Sequence, residues 1–221
     1  MTQNQTVTAG KNTVFFELLK DVNNRYFQDM LDIYVESFPE NERRPNHEIV
    51  KSITEGREIC YIGLKDFCVV LFALLWPING TDFILLDYLA TKKGLRRSGL
   101  AKCFLSFISQ QLSLENKYLI LEVEDPNFGD NTNERKERIE FYREIGAKQL
   151  QGVSYILPPL QGGSETQMIL MISHSFPFKI IEGNRVWDLI VKIYSGLYKI
   201  SETSPLLDRI RKTLSEHIEI L

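Results

Sequence analysis

The residues best suited to chemistry lie where a predicted strand runs into a predicted helix. Apolar residues at 83–90 predict the strand, and the apolar spacing of residues 100–114 predicts the helix. The first turn of a helix has backbone N–H groups without partners inside the helix, and the helix dipole favours an anion there. Gly99 lets the backbone approach a ligand closely at this point. Three cations add positive charge to the same turn, namely Arg96, Arg97 and Lys102. The pattern therefore predicts a phosphate-binding turn.

Two motifs give the chain a family resemblance. The run Arg96-x-x-Gly99-x-Ala101 follows the triplet Leu89-Ala90-Thr91, and in this order it resembles the acetyl-CoA signature of the GNAT family of N-acetyltransferases. A second run, Phe141-Tyr142 followed by Gly146, is similar to a downstream helix of that family. A predicted strand at residues 118–124 separates the two motifs, as in the family. The resemblance covers about residues 13–173.

The resemblance implies a fold and an activity. The expected fold class is α/β: a GNAT-like mixed, largely antiparallel sheet of six to seven strands flanked by helices, with a C-terminal extension of two helices. The expected activity is direct transfer of an acetyl group from acetyl-CoA, the cosubstrate, to a primary amine of a small molecule or peptide. The residues implied to bind the cofactor are Leu89, Ala90, Thr91, Arg96, Arg97, Ser98, Gly99, Leu100, Ala101 and Lys102.

The second motif supplies a candidate proton donor. Tyr142 aligns with the family tyrosine that lies near the CoA sulfur and acts as a general acid. The family often has an asparagine seven residues before this tyrosine, where this chain has Arg135. Asn133 lies slightly upstream and is the expected substitute for that CoA contact.

Three strand carboxylates are candidates for the general base. Asp87 lies on the predicted strand before the triplet, and Glu122 and Glu124 share one face of the next strand by period-two alternation. Each of them could instead be a solvated strand carboxylate. As a set they suit a positively charged amine. The segment 40–45, between the first two predicted helices, is similar to a run found in a bacterial branch of the family with unassigned substrates.

Composition excludes some classes of function. A net charge of −3 argues against a general nucleic-acid binder. The longest apolar run, residues 67–78, is too short to cross a bilayer, and the N-terminal residues are polar, so we expect a cytoplasmic protein without a membrane partner. The three histidines are far apart, so no metal site is predicted. The three cysteines lie in apolar runs and are predicted to be buried free thiols: Cys60, Cys68 and Cys103.

The chain divides into three predicted segments. Residues 1–12 are predicted to form a flexible tail, residues 13–175 the GNAT-like domain, and residues 184–221 a helical extension. The two helical stripes of the extension are apolar, so they should pack on the domain or on a second copy, which would make a homodimer. One alternative function stays open: a domain of the same fold that binds CoA as a sensor or interaction module without turnover.

Overall fold

The computed structural model describes residues 5–9 and 12–221, with side chains from Thr13 onward. The described residues fall into two compact units. Unit 1 contains the residues up to Pro77 together with Leu86–Glu115 and Leu160–Gly163. Unit 2 contains Ile78–Leu85, Asn116–Pro159 and Ser164–Leu221.

Unit 1 is built on antiparallel strands with helices. In chain order its elements are β1 (Gln5–Ala9), β2 (Asn12–Leu18), α1 (Arg25–Ser37), α2 (Asn46–Thr54), β3 (Ile59–Lys65), β4 (Cys68–Pro77), the second part of β5 (Phe83–Thr91) and α3 (Leu100–Leu114). The strands follow the order β1-β2-β3-β4-β5. The bounds of α3 match the predicted helix.

Strand β4 lies at the centre of unit 1. Every residue from Val69 to Trp76 is buried, because helices cover the sheet on both sides. Met30 and Tyr34 of α1 pack in one cluster with Phe72 and Leu74. On the other side the rings of Phe104 and Phe107 in α3 lie 5.3 and 5.4 Å from that of Phe16. The uninterrupted apolar run in the sequence of β4 is typical of a strand buried on both faces.

Unit 2 holds the remaining elements. They are the first residues of β5, then β6 (Tyr118–Glu124), α4 (Thr132–Glu144), β7 (Lys148–Gln149), β8 (Tyr155–Leu157), β9 (Thr166–Ile172), β10 (Ile180–Glu182), α5 (Gly183–Gly196), α6 (Pro205–Arg211) and β11 (His217–Glu219). Strand β9 pairs antiparallel with β6, β7 and β8, and β10 pairs antiparallel with β11. None of the helices in residues 12–221 is long and apolar enough to cross a membrane.

The C-terminal residues are packed into unit 2. Arg185 at the start of α5 donates to both carboxylate oxygens of Asp82, at 2.7 and 2.6 Å, and its guanidinium lies 4.9 Å from the ring centroid of Phe83. Tyr194 packs edge-on against Tyr155. The backbone of Leu221 exchanges two hydrogen bonds with that of Gln149. The predicted extension is therefore packed against other elements of its own chain.

Three expectations differ from the structure. The larger sheet of the described residues has nine strands where six to seven were expected, because short strands such as β7 carry little sequence signal. The predicted flexible tail includes β1, which pairs with β2 and covers an otherwise open sheet edge, whereas residues 1–4 and 10–11 lie outside the described residues. The extension at residues 184–221 was expected to be helical, yet α6 ends at Arg211 and the chain continues into β11.

The three cysteines differ in their exposure to solvent. Cys60 is buried, Cys103 is half-buried and Cys68 is exposed. The expectation of three buried thiols is therefore wrong for Cys68, because this residue opens β4 directly after the turn at Asp66 and Phe67.

Candidate functional site

The basic loop joins β5 to α3 through two residues with left-handed backbone. After a short 3-10 turn at Lys93–Leu95, Arg97 has φ 61° and Gly99 has φ 84°. Gly99 is the N-cap of α3, and no side chain caps that end of the helix. A Cβ atom at Gly99 would meet nothing within 4 Å. The first turn of α3 therefore has no side-chain cap on its N–H groups, and the space beside Gly99 is open, as an anion site requires.

Exposed cations surround this helix end. Arg96, Arg97 and Lys102 are all exposed. The end of α1 holds the loop in place, because Arg96 Nη2 donates to Ser37 Oγ at 3.3 Å. Inside the loop Ser98 Oγ donates to the Leu95 carbonyl at 2.5 Å. The sequence-predicted phosphate-binding turn thus has the charge and the backbone shape expected of it.

The other predicted cofactor residues occupy both units. In the triplet before the loop, Ala90 is buried, and Leu89 and Thr91 are half-buried. Leu100 is buried and Ala101 half-buried in the first turn of α3. Asn133 is exposed in the first turn of α4, in unit 2.

Asp87 lies in a buried ionic cluster that the sequence did not indicate. Arg44 Nη2 donates to Glu58 Oε1 at 2.5 Å and also to Asp87 Oδ2. The three side chains are at most 6% exposed. The interpretation of Asp87 as a solvated carboxylate is therefore wrong. Asp87 is already bound by Arg44, which counts against its predicted role as general base.

The cluster holds two carboxylates against one guanidinium. Burial, and after it the negative charge of Asp87, raise the pKa of Glu58 to about 8, and the opposing effect of Arg44 is smaller. Within the described part of the chain, Glu58 Oε2 is buried without a hydrogen-bond partner. The raised pKa favours the protonated form of Glu58 at neutral pH.

Two tyrosine hydroxyls form hydrogen bonds with the backbone of Arg44. The Tyr34 hydroxyl donates to the Arg44 carbonyl at 2.9 Å, and the Arg44 N–H donates to Tyr88 Oη at 3.0 Å. Arg44 belongs to the segment 40–45 that the sequence analysis singled out. The resemblance of that segment to a family run was the one indication in the sequence that Arg44 belongs to a site. No residue near Arg44 in the sequence indicated that it would form an ion pair with Glu58.

Glu122 and Glu124 share a face of β6, as predicted, but have different partners. Glu124 is bound by two arginines of α4, Arg135 at 3.0 Å and Arg138 at 2.5 Å. Glu122 instead accepts hydrogen bonds from the hydroxyls of Tyr155 and Tyr198, the latter at 2.6 Å. The charge of Glu124 is thus neutralised by its neighbours, which counts against its predicted role as general base.

Tyr142 lies in α4 and is half-buried, with its ring centroid 5.2 Å from that of Phe141. Burial raises the pKa of its hydroxyl. The hydroxyl is therefore protonated at neutral pH, as a general acid must be. Near it in the chain, Gly146 ends the helix with φ 83°, the left-handed cap expected there.

The fold is that of known acetyltransferases. No protein-family model matches the chain, and no curated protein matches it significantly. Among solved structures, a protein from Bacteroides thetaiotaomicron assigned to the GNAT family is 23% identical, with a TM-score of 0.70 over 84% of this chain and 99% of its own. The aminoglycoside 6'-N-acetyltransferase from Enterococcus faecium is 18% identical, with a TM-score of 0.56 over 74% of this chain and 98% of its own. A GNAT-family acetyltransferase from Elizabethkingia anophelis, solved with acetyl-CoA bound, is 12% identical, with a TM-score of 0.51 over 74% of this chain and 99% of its own. The chain therefore has the GNAT fold, as the sequence resemblance implied.

Proposed function

We propose that this protein is an acetyl-CoA-dependent N-acetyltransferase that moves an acetyl group directly to a primary amine of a small molecule or peptide. The observation that carries the proposal is the junction of β5 and α3, where an uncapped helix end follows a glycine in left-handed backbone. The GNAT fold supports it, since one neighbour of that fold holds acetyl-CoA.

The residues at the junction fit the pyrophosphate of CoA. Helix N–H groups bind phosphate oxygens, and open space at Gly99 lets such a group come close to the backbone. The cations that would neutralise it are Arg96, Arg97 and Lys102. For the triplet Leu89-Ala90-Thr91, and separately for Asn133, contacts with the cofactor are proposed from the family resemblance alone.

When bound, acetyl-CoA supplies the acetyl group as a thioester. The protein then has to hold the amine, remove its proton and donate a proton to the departing thiolate. Tyr142 is the proposed donor, because burial keeps the proton on its hydroxyl. Glu122 is the proposed acceptor-side carboxylate, because the hydroxyls of Tyr155 and Tyr198 orient its two oxygens.

The proposal is tested first by binding of CoA, measured by calorimetry and by thermal shift. A ligand that binds only the folded state raises the melting temperature. Gly99→Glu adds a negative charge beside the anion site, and we expect it to weaken CoA binding by about tenfold or more.

The matched control is Gly152→Glu. Gly152 has φ 73° and nothing within 4 Å of its Cβ position, so the substitution adds the same charge and similar backbone strain in a turn of unit 2. This variant should bind CoA as the parent protein does. If the parent protein does not bind CoA at millimolar concentration, the proposed function is wrong.

A further inference from the structure

A cavity of about 450 Å³ lies beside helix α4 in unit 2. Its lining residues come from α4, from the loop that follows β6, and from strands β7 and β9. Its volume is in the range of sites that hold small molecules. The proposed function assigns no role to this cavity.

One stripe of α4 forms a wall of the cavity. Four residues of that stripe line it, at spacings of three, four and seven from the first, namely Lys136, Ile139, Glu140 and Arg143. Tyr142 lies on another stripe of the helix together with Arg138 and Arg135, at spacings of four and seven. The cavity is therefore separate from the face of α4 that carries the proposed general acid.

Part of the lining is apolar. Ile139 of α4 and Ile169 of β9 are both buried, and Pro126 adds a third apolar surface from the loop after β6. An aliphatic group of a ligand gains free energy when it leaves water for such a surface. This part of the cavity therefore suits an aliphatic side chain.

Two opposite charges line the same cavity without pairing. Lys136 is exposed, and no residue in the described part of the chain forms an ion pair or hydrogen bond with its ammonium group. Asp125 is half-buried, and its Oδ1 accepts from the N–H and the side-chain amide of Asn127, both at 2.9 Å. Its Oδ2 accepts no hydrogen bond from any residue that the structure describes. Both charges are thus available to a ligand in the cavity.

The other two charged residues of the lining neutralise each other, because Arg143 Nη1 donates to Glu140 Oε1 at 2.8 Å. The cavity therefore offers one positive group, one negative group and an apolar surface. An amino acid with an aliphatic side chain carries the complementary set. Its carboxylate can accept from an ammonium group, and its own ammonium group can donate to a carboxylate.

We infer that this cavity binds the zwitterion of an aliphatic amino acid. Lys136 binds its carboxylate, and Asp125 binds its ammonium group through Oδ2. The aliphatic side chain packs against Pro126, Ile139 and Ile169. The site is independent of the proposed function, because none of these residues belongs to the proposed cofactor or catalytic set.

The test is calorimetric titration with L-leucine in the absence of CoA. Two relatives of L-leucine each lack one charged group: 4-methylpentanoate has no ammonium group, and leucinamide has no carboxylate. The parent protein should bind L-leucine about threefold or more tightly than leucinamide, since Lys136 is exposed. It should bind L-leucine about tenfold more tightly than 4-methylpentanoate, since Asp125 is half-buried.

Two variants remove the charges of the cavity one at a time. Lys136→Gln should weaken L-leucine binding roughly three- to fivefold and should not weaken leucinamide binding. Asp125→Asn keeps an oxygen for Asn127, and it should weaken L-leucine binding about tenfold without weakening 4-methylpentanoate binding. The matched controls Lys148→Gln and Asp130→Asn remove the same charges from exposed residues outside the cavity and should bind L-leucine as the parent does. Melting temperatures check that each variant is folded.

Three results would overturn the inference. The first is that the parent protein does not bind L-leucine at millimolar concentration. The second is that leucinamide or 4-methylpentanoate binds as tightly as L-leucine. The third is that Lys136→Gln and Asp125→Asn bind L-leucine as well as the parent. Because the titrations contain no CoA, each of these results leaves the proposed function standing.

Discussion

The buried cluster of Arg44, Glu58 and Asp87 makes folding stability depend on pH in a way that one substitution should remove. Glu58 has a pKa of about 8 in the folded protein, against an ordinary value of 4.5. Between pH 4.5 and about pH 8 the folded state therefore keeps a proton on Glu58 that the unfolded state has already released. Glu58→Gln replaces the protonated carboxyl by an amide that can still accept from Arg44.

The sign follows from proton linkage. Because the folded pKa is raised, the stabilisation from Glu58 is fully present below pH 4.5 and is lost as the pH rises to about 8. One such proton lowers the free energy of unfolding by up to about 1.4 kcal/mol per pH unit, or roughly 2.5 kcal/mol between pH 5 and pH 7. The amide that replaces this carboxyl in the variant Glu58→Gln cannot release a proton. Between pH 5 and pH 7 the free energy of unfolding of this variant should therefore fall by roughly 2.5 kcal/mol less than that of the parent protein.

Urea denaturation at several values between pH 5 and pH 9 measures this difference. The parent protein and Glu58→Gln are compared at each pH, so contributions from all other groups cancel. Glu48→Gln is the control, because Glu48 is an exposed glutamate on α2 and its loss should leave the slope unchanged. Equal slopes for the parent protein and Glu58→Gln would refute the assignment of a proton to Glu58.

Three further outcomes are expected. Tyr142→Phe should lower kcat by about two to four orders of magnitude while CoA affinity is retained, because the ring is kept and the proton is lost; an unchanged kcat would exclude Tyr142 as general acid. Truncation after Gly183 removes buried side chains of α5 and α6 worth about 1.5–3 kcal/mol each and should lower the melting temperature or solubility; an unchanged melting temperature and solution mass would show that the extension is dispensable. Cys68 should react with a thiol reagent in the folded protein, whereas Cys60 should react only after unfolding, because burial raises the pKa of its thiol; Cys68→Ser should abolish the fast reaction.

Local patterns predicted much of the fold. The apolar run of β4 and the helical spacing of α3 are properties of neighbouring residues, so their bounds could be found without a structure. The loop before α3 was predictable for the same reason, since a glycine and three cations stand next to a helix start. Strand β11 was missed because it depends on pairing with β10, more than thirty residues earlier in the chain.

The chemistry of the carboxylates was harder to predict. Alternation along β6 placed Glu122 and Glu124 on one face, but it could not show that α4 would supply arginines to Glu124 and that distant tyrosines would supply hydroxyls to Glu122. Asp87 raised the same difficulty, since Arg44 lies 43 positions earlier in the chain. The partners of a carboxylate, not its place in the strand, decide whether it can act as a base.

Turnover tests the central claim most directly. The protein is incubated with acetyl-CoA and a panel of primary amines, and mass spectrometry measures acetylated amine alongside released CoA. We expect equal amounts of acetylated amine and free CoA from the parent protein and from Gly152→Glu, and much less of both products from Gly99→Glu when acetyl-CoA is not saturating. A parent protein that binds CoA tightly but acetylates no amine in the panel would contradict the proposed activity and indicate a CoA-binding module without turnover.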